Sequence, residues 1–319
     1  RPLVDFDCGP RSALVVDNYA WLSELQVIPF LRDFGKHFGI GAMIAKESVR
    51  SRMGRAEAGI SYTEFSYQIL QAYDFMTLAA NYDCPVQFGG SDQWGNITAG
   101  IDLIRRVHGW ATYGLTLPLV TKEDGAKFGK TETGTVWLDP AKTSAYEMYQ
   151  FWLNTVDADV VRFLKFFTFL PLEEIDALAG RTATAPEQRE AQRVLAREVT
   201  ILVHGGEKVR EAEDIGAALF GGDVAALSER QLDEAFRRVP TTVLAAADGE
   251  AVPVVDLLVR TGLSDSKRLA RELITTGAVH LNGRRVDDAS AKVSRATALY
   301  GRYMIFRKGK RTYHVVALR

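Results

Sequence analysis

The stretch Pro85-Val86-Gln87-Phe88-Gly89-Gly90-Ser91-Asp92-Gln93-Trp94-Gly95-Asn96 limits the fold more than any other part of the chain. A short apolar run stops at two glycines, helical spacing runs from Asn96 to His108, and Leu117 to Thr121 reads as a second strand. Strand, glycine turn, helix, strand predicts a piece of an α/β nucleotide-binding layer. Upstream, a helix is expected from Glu64 to about Leu78, with Thr63 or Ser61 as its N-cap. Trp21 to Phe38 has helical spacing in Leu22, Leu25, Ile28, Leu31, Phe34 and Phe38, and Pro29 predicts a break between two short helices. Residues 1–20 read as a poorly patterned lead-in.

After Pro140 the texture changes. Ser144 to Phe169 and Pro186 to Leu219 are amphipathic and helical, interrupted at Pro171 and between Gly180 and Pro186, and Gly221-Gly222 closes the block. From Val254 onward the pattern is that of a small α/β module, with a helix from Ser266 to Thr275 and strands near Ala278–Leu281 and Thr312–Ala317. Asn282-Gly283 is a tight-turn signal ahead of Arg284-Arg285-Val286. The expected domains are an α/β region over 1–142, an all-helical region over 143–222, a linker over 223–253 and a small α/β module over 254–319.

Charge separates along these lines. Residues 264–319 hold thirteen Lys/Arg against four Asp/Glu, a net of +9, whereas the preceding 263 residues hold 26 basic and 36 acidic side chains, a net of −10. A basic terminal module on an acidic body points to a polyanion, RNA or DNA; a solvated lysine-rich surface is the alternative. A composition of 47% apolar and 25% charged residues excludes wholesale disorder. No apolar run is long enough to span a membrane, and no signal-peptide pattern opens the chain. Cys8 and Cys84 cannot build a disulfide framework, and the five histidines form no metal-type cluster, so no structural metal and no tightly bound cofactor are expected. A reduced, cytoplasmic protein follows as the expectation.

Three constellations can carry chemistry. At about 100° per residue, Tyr67, Gln71 and Asp74 fall within a sector of about 60° on one helix face. Their neighbours are mostly apolar, so these polar groups need partners, which either the protein or a ligand supplies. In the glycine turn, Gly89 and Gly90 let a ligand approach the backbone, and Asp92 can accept from ribose hydroxyls. In Lys127-Phe128-Gly129-Lys130-Thr131, two lysines three apart on a glycine-bearing loop can surround a polyphosphate. This is not a Walker loop, and a solvated basic loop is its bland alternative.

Taken together, these segments resemble bacterial tyrosyl-tRNA synthetases. Gly89-Gly90-Ser91-Asp92-Gln93-Trp94-Gly95-Asn96-Ile97 is similar to that family's adenylate-site motif and Lys127-Phe128-Gly129-Lys130-Thr131 to its KMSKS-type motif. Tyr67-x-x-x-Gln71-x-x-Asp74 resembles its tyrosine-pocket helix. Gly35-Lys36-His37-Phe38 and Ile60 to Tyr67 are similar in kind, and Asp265 to Arg271 through Asn282-Gly283 resembles a small RNA-binding module. The resemblance implies the C-terminal part of a Rossmann-like class I synthetase catalytic domain, then an all-α domain on the anticodon side, then a small α/β RNA-binding domain. It implies activation of L-tyrosine by ATP with Mg²⁺ and transfer to the 3′ end of tRNA(Tyr). Asp74 is then expected to meet the substrate phenol, Tyr67 and Gln71 its ammonium group, and Gln93 its carboxylate. Gly90 and Asp92 are expected at the ribose, and Lys127, Phe128, Gly129, Lys130 and Thr131 around the phosphates. Lys267, Arg268, Arg271, Arg284 and Arg285 are expected to meet RNA.

The chain departs from the family in one respect: it contains no His-x-Gly-His, and it opens Arg1-Pro2 rather than with Met. The expectation is that a first nucleotide-binding half lies upstream and that the 319 residues alone make no adenylate. In the resembled family the Trp21–Phe38 region forms a two-fold interface, so a homodimer is implied; an internal core helix is the alternative. A tryptophanyl relative and a noncatalytic RNA-binding remnant are the two other readings. Asp74 and the basic module count against the first, the intact lysine pair against the second.

Overall fold

The computed structural model describes residues 3–45, 49–50, 59–121, 128, 130–131, 134–244, 251–309 and 312–318. Two units emerge, Phe6–Phe128 and Gly129–Arg319, the latter joined by residues 1–5.

In the first unit, α1 (Tyr19–Leu22) and α2 (Val27–Asp33) replace the expected pair of short helices. The break lies at 23–26, before Pro29. Pro29 sits in the first turn of α2, where a missing N–H costs no intrahelical bond. After α3 (Ile40–Ile44) comes α4 (Tyr62–Tyr82), the longest helix among the described residues. Ser61 starts it with a reciprocal capping box: its side chain accepts from Glu64 N–H while the Glu64 carboxylate accepts from Ser61 N–H.

The strand β1 (Val86–Gly90) leads through a single turn of 3₁₀ helix into α5 (Trp94–His108), and β2 (Tyr113–Leu117) returns parallel to β1. This is the expected strand–turn–helix–strand unit, with the second strand four residues earlier than its sequence pattern implied. Gly114 hides the alternation: it faces α5, and a Cβ there would lie 2.6 Å from Ile97 Cγ2. The inward position is glycine because the helix sits on it. The core of the unit lies between α4 and α5, where Ala72, Phe75, Met76, Ala99, Leu103 and Ile104 are buried together.

The second unit begins with the two-residue strands β3 (Lys130–Thr131) and β4 (Gly134–Thr135), an antiparallel pair. Five helices follow: α6 (Ala145–Leu153), α7 (Asp157–Phe167), α8 (Leu172–Thr184), α9 (Glu190–His204) and α10 (Gly206–Gly221). Ser144 caps α6 with the same Ser–x–x–Glu box, using Glu147. Over 223–253, expected as a linker, the described residues form α11 (Glu229–Ala235), β5 (Thr241–Leu244) and β6 (Val252–Pro253). These elements are short, and their apolar faces have meaning only against a sheet formed later in the chain.

That sheet has the order β5-β11-β10-β7-β8, with β7 (Val279–Leu281), β8 (Arg284–Arg285), β10 (Tyr303–Lys308) and β11 (Thr312–Leu318). On one side lie α12 (Val254–Arg260) and α13 (Lys267–Thr275), which bury Val255, Leu258, Ala270 and Ile274 against Met304, Phe306 and Val316. A second cluster joins Ile215 of α10 to Val224, Leu227, Leu232 and Phe236 and to Tyr303, Ile305 and Val315 of the sheet. Polar contacts follow the same path. Tyr303 Oη donates to Asp233 Oδ1 at 2.5 Å, Tyr300 Oη to Leu227 O at 2.7 Å and Tyr313 Oη to Leu219 O at 3.2 Å. Burial together with the Asp233 hydrogen bond pushes the Tyr303 hydroxyl up to about 12.

Asn282 and Gly283 turn the chain between β7 and β8, both with positive φ, as two-residue hairpins require. Gly283 also touches Gly222 at the end of α10: a Cβ on Gly283 would lie 2.0 Å from Gly222 O. Gly262 likewise has positive φ but nothing within 4 Å of its Cβ position. Gly262→Ala is therefore expected to cost only the backbone strain, about 1–3 kcal/mol, and Gly283→Ala clearly more. Urea unfolding of the two variants measures this. Equal losses would show that the Gly222–Gly283 approach contributes nothing.

Candidate active site

On α4 the side chains of Tyr67, Gln71 and Asp74 line one face, as their spacing requires. Gln71 and Asp74 are half-buried, whereas Tyr67 is 58% exposed and its hydroxyl has no hydrogen-bond partner among the described residues. Asp74 is held from the lead-in. Trp21 Nε1 donates to its Oδ1 at 2.7 Å, and Asn18 Nδ2 donates to its Oδ2 at 3.0 Å. A carboxylate offers about four acceptor positions, so about two remain for further donors. Asn18 stands at the N-cap position of α1 and makes no capping bond; its Nδ2 donates to Asp74.

The second cluster forms where β1 runs into α5. Gly90 leaves room there for the Asp92 side chain. A Cβ would stand 2.7 Å from Asp92 Oδ1 and 2.8 Å from Leu119 Cδ2, so a larger residue would push the Asp92 carboxylate and the Leu119 side chain out of their present positions. Gln93 Nε2 donates to Asp92 Oδ2 at 3.2 Å. Asn96 Nδ2 then donates to Gln93 Oε1 at 3.4 Å and to Gln71 Oε1 at 2.9 Å. The α4–α5 core sets this meeting, since it holds Ala72 and Phe75 of α4, within the turn that follows Gln71, against α5. Asp92, Gln93, Asn96 and Gln71 thus form one hydrogen-bonded chain. Asp92 is exposed at one end of it.

The structure brings together Gln71, Gln93 and Asp92, with Tyr67 and Asp74 one helical turn from Gln71 on either side. Three groups that the sequence does not single out complete the arrangement: Asn18, Trp21 and Asn96. Asn96 lies inside the glycine-turn motif, but Asn18 and Trp21 carry no local signal. Lys127 and Gly129 lie outside the described residues. Phe128 is half-buried in a turn, and the backbones of Lys130 and Thr131 form β3.

The basic candidates gather in the terminal module. Lys267, Arg268 and Arg271 are exposed on α13, whose N-cap Ser266 accepts from Leu269 N–H, and Arg284 and Arg285 are exposed on β8. Lys267 pairs with Asp256 at 2.7 Å, Arg285 with Asp287 at 2.7 Å, and Arg268 with Glu272 at 4.0 Å. Exposed pairs of this kind contribute little to stability. Among the described residues, no group of three or more His, Cys, Asp or Glu side chains could hold a metal ion, and no helix is long and apolar enough to cross a membrane. Cys8 and Cys84 are free and exposed.

Comparison with known proteins adds the following. Residues 2–221 match the profile of tRNA synthetases class I (W and Y), and residues 231–316 that of the tyrosine--tRNA ligase SYY-like C-terminal domain. The chain is 53% identical over 314 residues to a tyrosine--tRNA ligase of Geobacillus kaustophilus, covering 98% of this chain and 74% of that one. It is 51% identical over 318 residues to a tyrosine--tRNA ligase of Desulfitobacterium hafniense, covering 99% and 74%. A crystal structure of a C-terminally truncated mitochondrial tyrosyl-tRNA synthetase from Aspergillus nidulans superposes with a TM-score of 0.53 at 33% identity, over 64% of this chain and 57% of that one. The second profile and these relatives favour the tyrosyl reading over the tryptophanyl one and over a noncatalytic remnant.

Proposed function

The chain belongs to the tyrosine–tRNA ligase family of class I synthetases, and we propose that the polar face of α4 and the head of α5 form the pocket for that family's substrates. The function is that of a tyrosine–tRNA ligase: tyrosine and ATP give tyrosyl-adenylate and pyrophosphate, and the tyrosyl group passes to the 3′ end of tRNA(Tyr). The observation that carries the pocket assignment is Asp74, an acceptor-only group braced by Asn18 and Trp21 with acceptor capacity left for a further donor. A phenol hydroxyl is that donor. Tyr67 and Gln71 receive the ammonium group, Gln93 faces the carboxylate, and Gly90 and Asp92 receive the ribose.

The reaction needs no covalent nucleophile. The substrate carboxylate attacks the α-phosphorus of ATP, which enters as its Mg²⁺ complex, and the bond to the bridging oxygen breaks as pyrophosphate leaves. Lys127 and Lys130 offset the charge that grows on the departing phosphates, with Thr131 as a third polar contact and Phe128 and Gly129 at the ATP site. That charge is met only in the transition state, so Lys127→Ala and Lys130→Ala are expected to lower kcat for adenylate formation by 100-fold or more, on the order of 3 kcal/mol, with tyrosine affinity little changed. Pre-steady-state adenylate formation and equilibrium tyrosine binding, measured on the enzyme expressed from its whole coding region, check this. Equal losses in both would remove the lysines from phosphate chemistry.

Two further assignments belong to the same reading. Lys267, Arg268, Arg271, Arg284 and Arg285 contact tRNA through its backbone. The chain works as a homodimer in the cytoplasm, a reading supported by Val27, Ile28 and Leu31 of α2, which leave apolar surface exposed.

A further inference from the structure

The hydrogen-bonded chain from Asp92 to Gln71 has a direction, and its direction has a cause. An ionised carboxylate can only accept, so the group that Gln93 turns toward Asp92 is its NH₂. The Gln93 carbonyl oxygen therefore points the other way, toward Asn96, which must answer with a donor. The Asn96 amide has two N–H bonds on one nitrogen, and the second meets Gln71 Oε1 at 2.9 Å. Gln71 is thereby held with its oxygen fixed. One lone pair of that oxygen is used by Asn96 and one remains.

We propose that Asn96 is a positioning residue that transmits the polarity set by Asp92 to Gln71, so that Gln71 offers an acceptor and not a donor to the ammonium group of the amino-acid substrate. The inference rests on the pocket assignment above and adds to it the group that decides which way Gln71 faces. A free carboxamide presents its oxygen or its NH₂ with similar ease, and only the first attracts a cation. Asn96 stands at the third position of α5, half-buried between the two glutamines. From there it spans 25 residues of sequence to Gln71 and three to Gln93.

An isosteric change separates this role from a structural one. In the first turn of a helix, aspartate is favoured by the helix dipole, so Asn96→Asp has no reason to weaken α5. It does reverse the hydrogen-bond sign, setting a carboxylate against two carbonyl oxygens and turning Gln71 and Gln93 around. Pyrophosphate exchange over a range of tyrosine concentrations, on the enzyme expressed from its whole coding region, reads the consequence. Because the ammonium contact exists in both ground and transition states, the loss should appear mainly in KM. Asn96→Ala is expected to raise the tyrosine KM about tenfold, corresponding to the loss of one or two neutral hydrogen bonds. Asn96→Asp is expected to raise it more, with Tm at or above the parent's. In a Gln71→Ala background, Asn96→Ala should add less than twofold, because nothing remains to be oriented. The proposal is overturned if Asn96→Asp leaves KM within twofold of the parent, or if Asn96→Ala costs as much without Gln71 as with it. Should Asn96→Asp fold poorly, the Asn96–Gln71 cycle decides alone. If Gln71→Ala itself leaves tyrosine KM unchanged, the pocket assignment has failed; if Gln71→Ala raises KM and the Asn96 variants do not, only the present inference has.

Discussion

Replacing Asp74 by alanine is expected to remove most of the preference for tyrosine over phenylalanine. In the parent, phenylalanine would set an apolar ring edge against the half-buried Asp74 carboxylate and give it no further donor, while tyrosine supplies its phenol hydroxyl. A hydrogen bond to a charged group contributes about 1.5–3 kcal/mol, and an unpaired buried charge costs more. The ratio of kcat/KM for the two amino acids should therefore fall by roughly 100-fold or more. Asp74→Asn is no milder. Its new NH₂ must face Trp21 Nε1–H or the Asn18 amide, both of which already donate to this site. Trp21→Phe keeps the carboxylate and removes one brace, so a loss of about tenfold or less is expected from that single bond. Pyrophosphate exchange with each amino acid gives the ratios. An unchanged ratio in a folded Asp74→Ala enzyme would take Asp74 out of the phenol site.

The contrast between Asp74 and its partners explains what could be read from the residues alone. The stripe Tyr67, Gln71, Asp74 is a local pattern on α4, and the Ser61–Glu64 box marks the start of that helix in four letters. Both follow from helix geometry. Asn18 and Trp21 lie 56 and 53 residues from Asp74, and no periodicity connects them. Long-range polar pairs are fixed only when packing brings two elements together. The same reason accounts for β2: glycine at the inward position conceals a strand whose alternation would otherwise be plain. It accounts for α11 and β5 too, since Leu232 and Phe236 read as isolated apolar residues until β10 and β11 stand opposite them. The strand β10 lacks the alternation that marks a half-buried strand. Its run Tyr303-Met304-Ile305-Phe306 is buried on both faces, by the α12–α13 layer on one side and the α11 layer on the other, and so shows no alternation.

The buried connections of the terminal module decide where it can be cut away, and with that how its role in tRNA charging is tested. A chain stopped before Leu263 removes the +9 segment but splits a core. Leu244, Val254, Val255, Leu257 and Leu258 are all less than 7% exposed, and the cluster they share loses Met304, Phe306 and Val316. At about 1.5–3 kcal/mol per aliphatic side chain, exposing five of them costs roughly 7–15 kcal/mol, the stability of a whole domain. That remnant is expected to aggregate, and its loss of activity would say nothing about RNA. A chain ending at Gly222 stops instead at the C-cap of α10, and of the shared cluster only Ile215 is left among the fully buried members. Made from the start of the whole coding region, the enzyme ending at Gly222 is expected to keep adenylate formation within about threefold while charging of tRNA falls by 100-fold or more, on the order of 3 kcal/mol of lost contact energy. In the untruncated enzyme, affinity for tRNA should drop steeply with added salt. Arg271→Ala with Arg284→Ala should flatten that slope more than Lys267→Ala with Arg268→Ala. The latter pair already has carboxylate partners in Asp256 and Glu272, whereas Arg271 and Arg284 have no ion-pair partner among the described residues. Normal charging of tRNA by the chain ending at Gly222, or a salt slope unmoved by either pair, would show that the basic module serves something other than the substrate RNA.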